Sequence, residues 1–473
     1  MSHRLFAIGT AILVGLSGCA NFSPDGGMGA VADAASVELD KDVVAIRSVG
    51  EAAAARAAVE RLLRRTLTAD AAVQVALLNN RGLQAAYNEL ASAEARMVGA
   101  SLPPNPTFSY LRIAGAAEIE IERRIVGDIL ALATLPARSE IALTRFRQAQ
   151  LRAARETLRL AAETRGAYYR AVAARELAGF LTQAQSAADS ASQLAERLGR
   201  TGAMNKLDQA REQVFYADLT AQLAAARQRA DGEREALIRR LGLWGGDLVF
   251  KLAGVLPALP PRVQSSAAIE VEAVRRRVDL QIARMELDAL ARVYGLTQAV
   301  RFINLIEAGA AAKTTTDRQS GEVISDRGFE VEFQIPMFDF GEVRVRQAES
   351  IYLRAVNLLV EKAVDVRSQA REAYRRYRSS YDIASHYQRE VLPLRKIISD
   401  ETLLRYNAMQ IDVFALLAEA RQRIGATVAA IEARREFWLA ETNLLAAVVG
   451  GGRSGEAGGS TPLAAASGAP GGP

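Results

Sequence analysis

The chain has 473 residues, 50% hydrophobic and 24% charged, with 59 Lys and Arg against 54 Asp and Glu. This excludes a disordered chain, and no segment after residue 18 offers the roughly twenty uncharged apolar residues of a membrane-spanning helix. One cysteine and two histidines exclude a disulfide framework and a cysteine metal site, and the +5 charge is spread as mixed-sign helix surface, which argues against nucleic acid.

At the amino terminus His3 and Arg4 precede an apolar run, Leu5 to Leu16, that ends in Leu16-Ser17-Gly18-Cys19. A basic start and a short apolar core predict a secretory signal peptide over 1–18. The ending resembles the bacterial lipobox, which implies cleavage before Cys19 and acylation of its thiol. By the same resemblance, Ala20 in place of Asp directs the mature chain to the outer membrane. Residues 19–66 are expected to form a tether, small and Gly-containing from Asn21 to Ala35, and then an equatorial segment.

From there the chain says one thing twice. "LQAAYNELASAEARMVGASL" begins at Leu83, and "LQIARMELDALARVYGLTQ" begins at Leu280. Each copy leads through a short alternating stretch into a helical run of roughly sixty residues, then a break, then a second run of roughly forty. The two repeats are placed at 67–247 and 274–449, with a Pro-rich linker at 248–273 and a disordered Gly/Ala/Ser/Pro tail at 450–473. A sixty-residue helix would be roughly 90 Å long.

In the first half Ala142, Phe146, Ala149, Ala153, Leu160, Ala167, Ala171 and Ala174 mark a stripe of threes and fours. In the second, Ala348, Tyr352, Ala355, Leu359, Ala363, Tyr377, Tyr381 and Ala384 do the same. The mean step of about 3.6 predicts helices, and the small residues predict close packing between them. Pro393 should bend or unwind the second-half helix. Thr68 is a plausible N-cap. Gly202 and Asn407 are suited to the left-handed turn that ends a helix, so they are expected at the tips of two helical hairpins, with the return helices starting near Met204 and Met409. His386 is expected on a solvated helix face.

Four short stretches between the helices read as strands. Phe329, Val331, Phe333 and Ile335 alternate with Glu330, Glu332 and Gln334; Ile119 and Ile121 alternate with Glu118, Glu120 and Glu122. Their partners are taken as Thr107–Ile113, with Phe108 and Tyr110 on one face, and Val300–Glu307. The first hairpin turns near Gly115, and Ala308–Gly328 is expected to be a long external loop. Four strands cannot close a membrane barrel, which needs about eight, and open strand edges are not tolerated in lipid. Several chains must therefore pool their strands, with the apolar side to lipid and the acidic side to a lumen.

With "LTADAAVQVALLNN" leading into the first repeat, "LPPNPTFSY" entering the first strand and "FQIPMFDFG" leaving the last, residues 66 to 449 resemble the TolC family of bacterial outer-membrane efflux channels. "RYNAMQIDVFALLAEAR" and "ARREFWLAETNLLAA" look most like the lipid-anchored branch that serves RND pumps and exports heavy-metal cations. The resemblance implies a mainly α fold with a small β part. In a homotrimer, twelve strands form an outer-membrane β-barrel and long antiparallel helices form a periplasmic α-barrel. It implies a periplasmic adaptor and an inner-membrane pump as partners, no cofactor, no resident metal and no catalysis. An equatorial belt would come from the region before Leu67, the linker, and the helix around Phe437 and Trp438. Acidic residues after the tip turns form a constricting ring in the family, and the matching positions are Asp208 and Asp412. Where the family often carries a second acid three positions on, this chain has Ala415. Two alternatives stand beside the efflux duct: a type I protein-secretion channel, and a lipid-anchored coiled-coil scaffold with no pore.

Overall fold

The computed structural model describes residues 21–263, 268–303 and 305–450. The signal peptide, Cys19 and the tail from 451 lie outside the described residues. In chain order the elements are α1 Gly29–Leu39, α2 Val49–Leu63, α3 Ala69–Asn79, α4 Arg81–Ser101, β1 Thr107–Ala114, β2 Glu118–Asp128, α5 Ile129–Ala133, α6 Leu135–Arg200 and α7 Lys206–Leu241. After them come α8 Ile269–Arg276, α9 Val278–Ala299, β3 Leu305–Asp317, β4 Val323–Gln334, α10 Glu342–His386, a π-helical turn Tyr387–Val391, α11 Leu392–Asn407 and α12 Val413–Val449. A helix, a strand pair, a long helix and a return helix thus occur twice. The residues form two compact units, and each unit draws on both halves of the chain.

The first unit takes in the chain up to Glu51 with Arg81–Arg155 and Val274–Ser368. Its strands form one antiparallel sheet in the order β1-β2-β3-β4. The first hairpin closes where Gly115 N donates to Glu118 O at 2.8 Å. The second closes over Asp317, whose Oδ1 accepts from Gln319 N at 2.7 Å and Ser320 N at 2.8 Å. The long external loop expected at Ala308–Gly328 is therefore only residues 318–322. Ala and Gly in "AGAAA" carry little strand signal, yet opposite β2 and β4 their backbone completes both ladders, from Glu118↔Asp317 to Asp128↔Glu307 on one side.

Leaving β4, the backbone turns through Phe340 and Gly341, both at positive φ. A Cβ at Gly341 would stand 2.1 Å from Arg301 O, so only glycine fits there. Arg301 braces the junction, donating to Phe340 O at 3.2 Å and pairing with Glu342 at 3.0 Å. The "DFG" of the sequence is thus a sterically required exit from the sheet.

The expected tether from Asn21 is instead built into this unit. Val31 and Ala35 are fully buried, Ser23 N donates to Glu94 Oε1 at 2.6 Å, and Gln84 holds the extended segment after α1 through Ile46 N and Val44 O. Small residues here permit close packing rather than slack. In the same unit Arg277 is buried and pairs with Asp279 at 2.9 Å.

The second unit takes in Ala52–Asn80, Glu156–Ala273 and the chain from Gln369. Helix α3 is capped by Thr68, whose Oγ1 accepts from Ala71 N at 3.1 Å, and it buries Val73, Val75, Leu77 and three more residues. Asn79 and Asn80 donate their side-chain amides to the last carbonyls of α7, at 2.8–3.1 Å. These bonds satisfy carbonyls that a helix end leaves unpaired. Leu67 pairs with Leu252 in a parallel bridge, and Tyr168 donates to Leu67 O at 3.1 Å.

An aromatic cluster gathers around Phe437, which is fully buried. Tyr377 and Tyr381 lie with ring centroids 5.6 Å from it, and Trp438 at 5.1 Å. Tyr381 also donates to Pro260 O and Pro261 O, and Trp438 Nε1 to Pro257 O at 3.2 Å, so the Pro-rich linker is bonded to this cluster. Pro393 is the second residue of α11, just past the π-helical turn: the helix widens where the ring cannot donate. His386 is exposed and lies 3.1 Å from Glu390.

Two outcomes follow. Replacing Phe437 by Ala empties the centre of a packed aromatic cluster and should cost about 3–5 kcal/mol in denaturant unfolding of the solubilised protein. Burial raises the carboxyl of Glu441 above its ordinary value, against a smaller opposing pull from Arg165. The folded chain therefore holds that proton to higher pH than the unfolded chain, and stability falls as pH rises through the interval. Glu441→Gln should raise Tm at pH 7 and leave it unchanged near pH 4, where the wild-type carboxyl is itself protonated.

Candidate functional site

Register assigns each strand residue to one of two faces of the sheet, because directly opposed residues share a face. Thr107↔Val126, Glu118↔Asp317 and Glu307↔Glu332 define one. It carries Glu118, Glu120, Glu122, Asp128, Glu307, Asp317, Asp326, Glu330 and Glu332, with Gln334 at its end. Its two basic residues are both paired: Lys313 with Glu120 at 2.8 Å and Arg124 with Glu330 at 3.1 Å. The six residues predicted to face a lumen, Glu118, Glu120, Glu122, Glu330, Glu332 and Gln334, therefore stand together on a strongly acidic surface.

The opposite face carries Phe108, Tyr110, Ile119, Ile121, Ile125, Ile306, Phe329, Val331 and Phe333, together with Arg112, Arg123 and Arg327, and no carboxylate. It is apolar and uncovered: Phe329 is 88% exposed and Phe108 66%. Among the described residues nothing pairs with the outer edges of β1 and β4. A sheet with bare apolar side chains on one face, nine acids on the other and two open edges is not a finished structure in water. Sequence reasoning missed the three arginines, because their shared face is visible only once the register is known.

The second unit carries the hairpin tips. At the first tip Gly202 has φ +76°, and Ala203 N and Met204 N both donate to Leu198 O. Asn205 is the N-cap of α7: its Oδ1 accepts from Asp208 N at 2.9 Å and its Nδ2 donates to Asp208 Oδ2 at 2.6 Å. Arg211 pairs with the other oxygen of Asp208 at 3.0 Å. Asp208 is thus the third helical residue, held in a reciprocal cap with its charge balanced.

The second tip differs from expectation. Asn407 is still helical, with Ala408 N donating to Leu404 O at 3.0 Å, and the left-handed residue is Met409, at φ +59°. The return helices begin at Lys206 and Val413, later than expected. Helix termini shift by a turn when backbone bonds can continue, and Asn tolerates the helical conformation as well as the left-handed one. Three residues after Met409, Asp412 is itself the N-cap of α12, with Oδ1 accepting from Ala415 N at 2.9 Å. Counted from the left-handed residue, Asp412 corresponds to Asn205 and Ala415 to Asp208. The two aspartates are not equivalents. Asp412 is exposed, and no basic side chain reaches it among the described residues.

Higher in this unit, Arg395 meets Glu419 at 3.2 Å and Arg421 meets Glu212 at 2.5 Å. A cavity of roughly 780 Å³ is lined by Glu176, Arg227, Asp231, Arg434 and apolar helix positions such as Ile431. Glu176 is already engaged, by Arg434 and by Leu256 N at 2.7 Å. This is a groove of mixed charge between helices.

No family profile matches the chain. In sequence it is similar to the cobalt-zinc-cadmium resistance protein CzcC of Cupriavidus metallidurans, 26% identical over 287 residues, which is 58% of this chain and 64% of that one. The match thus spans a little under two thirds of that relative's length. In structure it is similar to CusC, whose solved form is described in terms of transmembrane channel formation. The TM-score is 0.66 at 16% identity, covering 80% of this chain and 91% of that one. It is also similar to the CmeC outer-membrane channel of Campylobacter jejuni, with a TM-score of 0.64 at 15% identity, covering 82% and 87%. With the repeated helix, strand-pair and helix-hairpin order and the two-faced sheet, these likenesses establish that this chain has the TolC-type fold of the outer-membrane efflux channels.

Proposed function

We propose that the chain is the outer-membrane channel of a tripartite RND-type efflux system, a passive duct for small solutes. The single observation that carries this reading is the four-stranded sheet with an uncovered apolar face, an acidic opposite face and two unpaired edges. Three chains would supply twelve strands, enough to close a barrel with its apolar side to lipid and its carboxylates lining water. Closure removes the strand edges that hydrocarbon does not tolerate. The two repeats, 67–247 and 274–449, then act as matching staves of one tube. Cys19 carries the lipid anchor, and the helical hairpin tips meet a periplasmic adaptor and an inner-membrane pump that supplies the energy. The relation to CzcC favours heavy-metal cations as cargo. The acidic strand face fits cations of any kind, so selection among metals belongs to the pump.

At the tips, Asp412 is the better candidate for a charged constriction. Among the described residues its carboxylate has no basic partner, whereas Arg211 balances Asp208. Three exposed carboxylates brought together near a threefold axis would attract cations and repel one another.

Reconstituted into planar bilayers, the purified protein should show long-lived, cation-selective conductance, and absence of any conductance from a correctly inserted oligomer would overturn the duct. Asp412→Asn keeps a good N-cap while removing the charge. It should lower cation selectivity with little change in stability, whereas Asp412→Ala should also destabilise the first turn of α12 by about 1 kcal/mol, read by hydrogen exchange. Asp208→Asn should leave selectivity close to wild type; if it matches Asp412→Asn, the distinction drawn between the two aspartates is wrong.

A further inference from the structure

The uncovered face of the sheet is apolar only in part. Counting rows away from the hairpin turns, Ala114, Ile119, Thr316 and Val323 form the first, followed by Arg112, Ile121, Thr314 and Ser325. The third is Tyr110, Arg123, Ala312 and Arg327. Every row beyond is wholly apolar or glycine: Phe108, Ile125, Ala310 and Phe329, then Gly127, Ala308 and Val331, then Ile306 and Phe333.

The three arginines therefore sit where the apolar belt stops, on the side of the turns. Arg123 and Arg327 share a row two strands apart, roughly 10 Å. Arg112 lies diagonal to Arg123 on the neighbouring strand, roughly 7 Å away. All three side chains are exposed. Among the described residues none has a hydrogen-bond or ion-pair partner, and their face holds no carboxylate, although the opposite face holds nine and pairs both of its basic residues.

Arginine on the lipid side of a barrel is strongly disfavoured at the bilayer midplane and nearly neutral close to the interface. Three of them in adjoining rows, with Tyr110 beside them, mark that interface, since Tyr is enriched at headgroup level. A guanidinium is a planar fork that binds phosphate through two parallel bonds. The unmatched positive charge calls for an anion supplied by the membrane itself.

We propose that Arg112, Arg123 and Arg327 form a binding site for the phosphate-bearing headgroup of an anionic lipid in the leaflet nearer the hairpin turns. The inference rests on the reading of this face as lipid-facing. It adds a specific lipid contact that would fix the height of the barrel in the membrane.

The test uses the full-length oligomer in bilayers of phosphatidylcholine doped with spin-labelled phosphatidylglycerol or spin-labelled phosphatidylcholine. The association constant of the first relative to the second should be several-fold above unity for the wild type. It should fall stepwise as guanidinium groups are lost, reaching unity in Arg112→Gln/Arg123→Gln/Arg327→Gln. The corresponding triple Lys variant keeps the charge and should retain part of the preference, which separates lost recognition from misfolding. A triple Gln variant that keeps the full preference overturns the site, as does displacement of the lipid by inorganic phosphate at equal total phosphate. Conductance measured in the same bilayers separates the two levels of the reading. Wild-type pores without lipid preference sink this site alone, whereas an oligomer that inserts and does not conduct sinks the duct.

Discussion

Everything in this chain is arranged around backbone groups that one copy cannot satisfy. Among the described residues the sheet has four strands, and the outer edges of β1 and β4 present rows of unpaired N–H and C=O groups. In water such edges invite aggregation; in hydrocarbon each unpaired group costs several kcal/mol. The side chains add a second demand of the same kind, since Phe329, Phe333 and Phe108 lie bare on one face while nine carboxylates crowd the other. Closing the sheet with other copies of itself around a water-filled lumen meets both demands at once. Duplication is the economical way to prepare that closure, because each repeat brings one hairpin and one pair of long helices.

The charge distribution follows the same logic. On the acidic face Lys313 and Arg124 are matched to Glu120 and Glu330, leaving an excess of negative charge that suits cations in passage. On the opposite face the arginines are confined to the two rows where a headgroup layer would lie. At the tips the two aspartates that look alike in sequence differ in their charge partners: Asp208 is enclosed by Asn205 and Arg211, whereas Asp412 caps Ala415 N and, among the described residues, is paired with no basic side chain.

Much of this was legible in the sequence, for physical reasons that differ by element. Strict alternation from Phe329 to Ile335 and around Ile119 announces strands half in water and half in oil, and the Ala/Tyr stripes announce the helices. The repeat is visible because both copies open on Leu-Gln, and the leucines, Leu83 and Leu280, are both buried. What could not be read were features decided by partners distant in sequence. "AGAAAKTTT" has no alternation of its own and becomes a strand because β2 and β4 flank it. The arginines scatter through three strands and share a face only by register. The glycines near residue 26 look like slack, yet α1 beside them buries Val31 and Ala35. The second tip ends a residue or two beyond Asn407 because helical bonds continue to Ala408, which leaves the left-handed conformation to Met409 and makes Asp412 a cap.

The central claim is that the sheet stands in a membrane with its acidic face to water, and single-cysteine scanning of β4 addresses it directly. The only native cysteine is Cys19, so each introduced thiol in the reconstituted full-length oligomer reports alone apart from the anchor position. With a water-soluble thiol reagent, positions 330 and 332 should react and positions 329, 331 and 333 should be protected, a strict period of two. Uniform reactivity along the segment, or protection recurring every three to four residues, would contradict the account.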